Sequence, residues 1–181
     1  MLYIPETIEE ARKIIPNIDE KRYRKWRQDG AVELTLEEVY EPTNTQKATV
    51  IINEDEIKIE LGETHSGRQY LETLYRRQQP DKDNYYHLQP GKYYILVTEP
   101  VNIPTNLLPT DVNFRSTFHR LGLIGRISNI DPGYSGKLHV LLYLTQYTPK
   151  TKIKRGTRII QVRFLKIDNA PQGYQGYWKN V

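Results

Sequence analysis

The sequence predicts a mainly β protein, an all-β barrel or sandwich with a short helical start. Three observations carry this. From residue 31 onward, short segments alternate between apolar and polar residues: "AVELTLEEVY", "KATVIINEDEIKIEL", "YYHLQPGKYYILVTE", "GKLHVLLYL" and "TRIIQVRFLKI". Turn-forming clusters separate them, namely "EPTN", "LQPGK", "IPTNLLP", "DPGYSG", "YTPK" and "KRGT". The helical signal is confined to residues 6–28.

Taken in order, "PETIEEARKIIP" predicts a short helix with Thr7 as N-cap, Glu10 as its capping-box partner and Pro16 as its stop. "NIDEKRYRKWRQDG" predicts a second helix ended by Gly30. Its "KRYRKWR" stretch puts five Lys/Arg beside a Tyr and a Trp, a composition found on nucleic-acid surfaces. The preferred reading is a solvated helix face with Trp26 packed on the body, so nucleic acid is not an expected partner. Residues 62–85 are polar and interrupt the alternation as a long loop or a short helical excursion. The organisation read from this is a helical segment at 1–30, a β domain at 31–168 and a tail at 169–181.

At 181 residues the chain fits one domain and is long enough to bury a core. It has no cysteine, which excludes disulfides, cysteine-ligated zinc and the zinc deaminase pattern. No apolar run approaches the length of a membrane span, and the N-terminus lacks the character of a secretory signal. A cytoplasmic location and no membrane partner are the expectations. The formal net charge of +4 suits a polyanionic ligand such as a triphosphate, although many proteins are equally basic.

The chemistry-bearing stretch is "RISNIDPGYSGKLHVLLYL", residues 126–144. It reads as a strand, a tight turn built on "DPGYSG", and a second, largely apolar strand. Asp131 stands at the mouth of the turn with Tyr134 three residues on. Asp-Pro-Gly is a common turn sequence, so Asp131 either caps the turn or does chemistry there. The four histidines are scattered, and no spacing marks a metal site or a nucleophile pair.

Residues 86–165 carry a resemblance. "YHLQPGKYYILVTEPVNIPTNLLPTDVNFRSTFHRLGL" resembles the dCTP deaminase and dUTPase superfamily. Arg115-Ser116-Thr117-Phe118-His119-Arg120-Leu121-Gly122 resembles its "R-S-S-x-x-R-x-G" motif. "IDPGYSG" resembles its nucleoside-binding hairpin, and "KIKRGTRIIQVRF" its closing strand, with Gly156 and Gln161 in place. "GAVELTL" resembles the first motif, with Glu33 where Asp is usual.

The resemblance implies a dUTPase-like, distorted jelly-roll subunit, a homotrimer, and sites for a pyrimidine deoxynucleoside triphosphate between neighbouring subunits. Arg115, Ser116, Thr117, Arg120 and Gln161 would then hold phosphates, as charge-assisted guanidinium forks and neutral donors do. Tyr134 would pack on the deoxyribose and reject a 2′-hydroxyl. Asp131 would activate the water that attacks the α-phosphate. Mg2+ would ride on the triphosphate rather than need a protein cage. The plainer alternatives stay open: Arg115 and Arg120 as ion-pair residues, Gln161 as a satisfied strand residue.

Four departures from the family pattern matter. The deaminase branch carries a Glu ten residues beyond the Asp; here that position is Leu141, which cannot move a proton. The Gly expected before Arg115 is Phe114, whose ring would narrow a phosphate pocket. The segment between Gly122 and Asp131 is two residues short. In the tail "PQGYQGYWKNV", Tyr177 replaces an expected Gln and Gly173 a frequent Lys, leaving Tyr174, Tyr177 and Trp178 to cover a base or a neighbouring subunit. The leading expectation is therefore dUTP hydrolysis to dUMP and pyrophosphate. The alternatives are a non-catalytic structural or regulatory trimer and, less favoured, a dCTP deaminase with a substitute acid such as Glu33.

Overall fold

The computed structural model describes residues 1–43, 50–52, 57–59, 74–168 and 172–173. Residues 62–73 of the polar insertion, and Tyr174, Tyr177 and Trp178 of the tail, lie outside the described residues.

Both expected helices form. Helix α1 (Ile8–Ile14) starts where the Thr7 hydroxyl accepts the Glu10 N–H at 3.2 Å. The Glu10 carboxylate reaches back one residue further than a capping box requires, to the Glu6 N–H at 2.9 Å. Helix α2 (Glu20–Asp29) is capped by Asp19, whose carboxylate accepts the Arg22 N–H at 2.8 Å, and it closes at Gly30 with φ 66°. Trp26 is fully buried and stacks against Phe164 and Tyr3, with ring centroids 5.7 and 6.3 Å away. Lys21, Arg24 and Arg27 of the basic stretch are exposed, as a solvated face requires; Arg22 is the exception, buried beside Trp26.

The strands are β1 (Val32–Pro42), β2 (Val50–Ile52), β3 (Ile57–Ile59), β4 (Tyr75–Arg77), β5 (Tyr85–Leu88), β6 (Tyr93–Asn102), β7 (Leu107–Phe114), β8 (Leu123–Arg126), β9 (Ser135–Leu144), β10 (Thr151–Lys154) and β11 (Arg158–Lys166). A short helix, α3 (Ser116–Arg120), joins β7 to β8. The main sheet runs β7-β11-β1-β6-β9-β8, with β4 added to the far end of β1; β10 pairs β5, and β2 pairs β3. The protein is mainly β, with a nearly closed, barrel-like sheet. The tight turn expected in residues 126–144 is present, but the strand before it stops at Arg126 and an irregular stretch precedes Asp131.

Strand β1 turns the corner of the barrel. Its first half pairs with β11, from Val32↔Val162 to Thr35↔Arg158. Its second half pairs with β6, from Leu36↔Thr98 to Tyr40↔Ile95. The ladders break at Leu34/Thr35 and Leu36/Glu38, so a bulge lies on each side of the switch. A buried carboxylate fills that corner: Glu99 accepts the Thr35 N–H at 2.8 Å and the Thr35 hydroxyl at 2.9 Å. Arg22 of α2 neutralises it through a forked ion pair from Nη1 and Nη2, and also donates to the carbonyls of Glu33 at 3.2 Å and Asn17 at 2.6 Å. The helical start is therefore bolted to the barrel by charge as well as by Trp26.

The open edges β7 and β8 meet through side chains. Phe114 ends β7 buried in the core, against Phe118 of α3 at 5.4 Å between centroids. Its ring fills the space where a Cβ at Gly125 of β8 would sit, only 2.0 Å from Phe114 Cε2. The Phe that departs from the family pattern is thus a core residue matched to a glycine on the facing strand. Gly125→Ala is expected to cost about 1–3 kcal/mol through overpacking. For a chain of this size that lowers the melting temperature by roughly 2–4 °C per kcal/mol. Adding Phe114→Leu to the Gly125→Ala chain should restore part of the loss in thermal melts; no recovery would mean the two residues do not share that space.

The core holds the even-numbered side chains of β9 (Leu138, Val140, Leu142, Leu144) with Tyr94 and Leu96 of β6. The odd-numbered ones face outward: Lys137, His139, Leu141 and Tyr143. Lys137 lies between Glu37 at 2.6 Å and Glu38 at 2.9 Å, linking β9 to β1 across β6. Burial pushes the neighbouring His139 imidazole down to about 4, with the Glu38 charge opposing and the Lys137 charge reinforcing that shift. Between roughly pH 4 and 6.5 the unfolded chain binds more protons than the folded one. Stability is therefore expected to fall as pH drops through that window, by at most about 3 kcal/mol. Urea unfolding at pH 7 and pH 5 checks this: His139→Gln should show a smaller loss than the wild type.

Candidate functional site

Two groups of residues carry chemistry. The first is the hairpin between β8 and β9. The Tyr134 N–H donates to the Asp131 carbonyl at 3.2 Å, closing a turn with Pro132 and Gly133 at its centre. Gly133 has φ 81°, the positive value that position i+2 of a type II turn demands. The turn is held by its neighbours, since Ile130 and Tyr134 are buried in the core. The Tyr134 hydroxyl donates to the Lys137 carbonyl at 2.6 Å, and the Ile103 N–H donates to the Tyr134 carbonyl at 2.8 Å. The ring expected to stack on a sugar is thus largely enclosed by its own subunit. The Asp131 carboxylate is exposed and makes no hydrogen bond or ion pair among the described residues. It does not cap its own turn, which the backbone closes. The tail reaches this turn: a Cβ built at Gly173 would lie 3.8 Å from Gly133 Cα and 3.0 Å from Thr105 Cγ2.

The second group lies where β1, β11, α2 and the start of α3 converge. Glu33 is buried, yet its carboxylate meets three cations. Oε1 is 2.8 Å from Arg115 Nε and 2.9 Å from Lys25 Nζ, and Oε2 accepts from Arg158 Nη1 at 2.6 Å. Burial alone would push the Glu33 pKa up; the Lys25 hydrogen bond and the charges of Arg115 and Arg158 outweigh it and hold the group below the ordinary carboxylate value. A carboxylate held this way favours its ionised form, which weighs against Glu33 as a proton donor.

Arg115 spends its Nε on Glu33, leaving both terminal nitrogens without partners among the described residues. The residues after it, Ser116 and Thr117, open α3 with exposed side chains, and Arg120 is exposed at its end. Gln161 is half-buried on β11, paired in register with Glu33 on one side and Asn113 on the other. The structure therefore brings Arg115 and Gln161 onto one patch with Ser116 and Thr117 at its rim. Among the described residues, no hydrogen bond or ion pair joins this patch to Asp131. Leu141 is exposed on the outer face of β9, flanked in register by Ile95 of β6 and Arg126 of β8.

Sequence reasoning missed Lys25 and Arg158. The available signal was Glu33 itself, a carboxylate in the otherwise apolar run "AVELTL", which needs counter-charges if buried. Which cations supply them is set by pairings between positions far apart in the chain.

The family model described as dCTP deaminase-like matches residues 3–167. The chain belongs to that family. This dCTP deaminase-like protein is 29% identical over 101 residues to the dCTP deaminase of Pyrococcus horikoshii, a stretch covering 55% of this chain and 64% of that relative. It is 34% identical over 101 residues to the probable deoxyuridine 5′-triphosphate nucleotidohydrolase of Methanosarcina mazei, covering 55% of this chain and 57% of that relative. The chain thus spans under two thirds of the length of either. Among solved structures, the 2′-deoxycytidine 5′-triphosphate deaminase of Agrobacterium tumefaciens superposes with TM-score 0.53 at 18% identity, over 74% of this chain and 38% of that one. That likeness concerns the fold. Among the described residues of the dCTP deaminase-like protein, no helix is long and apolar enough to cross a membrane.

Proposed function

We propose that the protein binds a pyrimidine deoxynucleoside triphosphate and hydrolyses dUTP to dUMP and pyrophosphate. The observation that carries this reading is the exposed Asp131 carboxylate, without a partner among the described residues, at a turn whose backbone closes without it. Such a group is available to accept a proton from water. The Arg115 fork, with Ser116, Thr117, Arg120 and Gln161, supplies donors for phosphate oxygens; Tyr174, assigned to the nucleotide by the family resemblance, lies outside the described residues. At the position where deamination needs a carboxylate stands Leu141, and Glu33 is committed to three cations.

Mg2+ accompanies the triphosphate in this reading. An ion that keeps several of its waters and rides on phosphate oxygens needs few protein ligands. Bound there, the ion neutralises charge developing on the phosphates.

A homotrimer is part of the proposal. On the outer face of the sheet, Tyr93, Tyr143 and Ile124 form one cross-strand row, with Leu141 beside it, and all four are substantially exposed. An apolar row of this kind favours burial against another subunit. Light scattering should give about 64 kDa, three times the 21.3 kDa chain; a monomer would remove the intersubunit site from the reading.

dCTP deamination is the second reading, favoured by the family description and by the P. horikoshii relative's name. One assay separates the two: pyrophosphate release and ammonia release, followed together with dUTP, dCTP and dTTP and Mg2+. Pyrophosphate from dUTP supports hydrolysis, and ammonia from dCTP overturns it in favour of deamination. No turnover of any nucleotide by the folded protein leaves a non-catalytic structural or regulatory member.

A further inference from the structure

The Glu33 cluster holds more positive charge than its carboxylate balances. Lys25, Arg115 and Arg158 all face one buried anion, and the next acid, Asp29, stands 3.9 Å from Lys25. The two guanidinium groups are not equivalent. Arg115 meets Glu33 through Nε and keeps both terminal nitrogens free; Arg158 meets it through Nη1 and keeps Nε and Nη2 free. Those donors have no partner among the described residues, while each side chain is only about 30% exposed. Half-buried guanidinium donors with unmet hydrogen-bonding capacity, locked in place by a shared carboxylate, are preorganised for an anion with several oxygens. Two forks braced on one carboxylate suit an extended polyphosphate better than a single phosphate.

We propose that Arg158 is a second phosphate-binding residue, acting with Arg115 as a pair of guanidinium arms braced by Glu33 on a polyphosphate chain. This rests on the nucleotide reading for its physiological ligand, but the arms themselves require only the polyphosphate. Arg163, five residues along the same strand and paired at 2.9 Å with the exposed Asp111, has no part in it.

The test uses inorganic triphosphate as the probe, with binding measured by titration calorimetry and the fold monitored by thermal melting without ligand. Arg158→Gln is expected to weaken binding about tenfold or more. Arg158→Lys keeps the charge beside Glu33, so its ligand-free melting temperature should stay near the wild type, while loss of the fork still weakens binding. Arg163→Gln removes the same charge from the same strand and should bind as the wild type does. The proposal is overturned if Arg158→Gln binds triphosphate normally, if Arg163→Gln loses as much, or if the wild type binds none. Arg158-dependent triphosphate binding without any nucleotide turnover would sink the nucleotide reading and leave the arms standing. Turnover of dUTP that is indifferent to Arg158 would do the reverse.

Discussion

Replacing Arg22 with methionine is expected to lower stability by about 3–5 kcal/mol, because it strands a buried carboxylate. Glu99 would keep its hydrogen bonds from Thr35 but lose the cation that neutralises it. The carbonyls of Glu33 and Asn17 would each lose a donor as well. A domain's whole stability is only about 5–15 kcal/mol, so the variant approaches the threshold of folding. Removing both charges with Arg22→Met and Glu99→Leu is not expected to be neutral. The Thr35 N–H at the strand switch would then be buried without an acceptor, at about 1–3 kcal/mol. Arg24→Met, one turn-face away on α2 with its side chain exposed, is the control and should change stability by no more than about 0.5 kcal/mol. Urea unfolding of the three variants decides it. An Arg22→Met protein as stable as the Arg24→Met control would mean the corner is held by packing alone.

The second large effect concerns Asp131→Asn. Pyrophosphate release from dUTP is expected to fall by about 10²–10⁴, the usual contribution of a positioned proton acceptor. The amide has nearly the same shape, and the carboxylate makes no hydrogen bond or ion pair among the described residues, so the melting temperature should not move. The loss should fall on kcat, with KM little changed, because the proton moves only on the way to the transition state. An equal loss of nucleotide binding would recast Asp131 as a ligand to the sugar or base. Undiminished turnover would remove it from the chemistry.

The fold was legible to the extent that its signals are local. The capping residue Thr7 and the stop at Gly30 act within one helical turn. The alternation in "GKLHVLLYL" places Leu138, Val140, Leu142 and Leu144 inward without reference to any other segment. Strands β4, β7 and β10 and helix α3 were not foreseen: Tyr75–Arg77 is too short to alternate, and Leu107–Phe114 begins inside the Pro- and Asn-rich run read as a turn. The site divides in the same way. Asp131, Pro132 and Gly133 form a turn that the sequence alone specifies. The enclosure of Tyr134 depends on Ile103 and Lys137, which belong to other parts of the hairpin and sheet.

Neighbouring residues alone set the period of the alternating strands, the turn at Asp131–Gly133, and the absence of a carboxylate at position 141. Which charges meet is a property of the closed sheet. Lys25, Arg115 and Arg158 lie on three different segments, and only the pairing of β11 with β1 and β7 beneath α2 brings all three within 3 Å of the Glu33 carboxylate. The closed sheet also decides that Phe114 turns inward, since only the facing Gly125 leaves room for the ring. Coulombic and steric partners are chosen by proximity in space, and proximity between distant residues exists only after the sheet has closed.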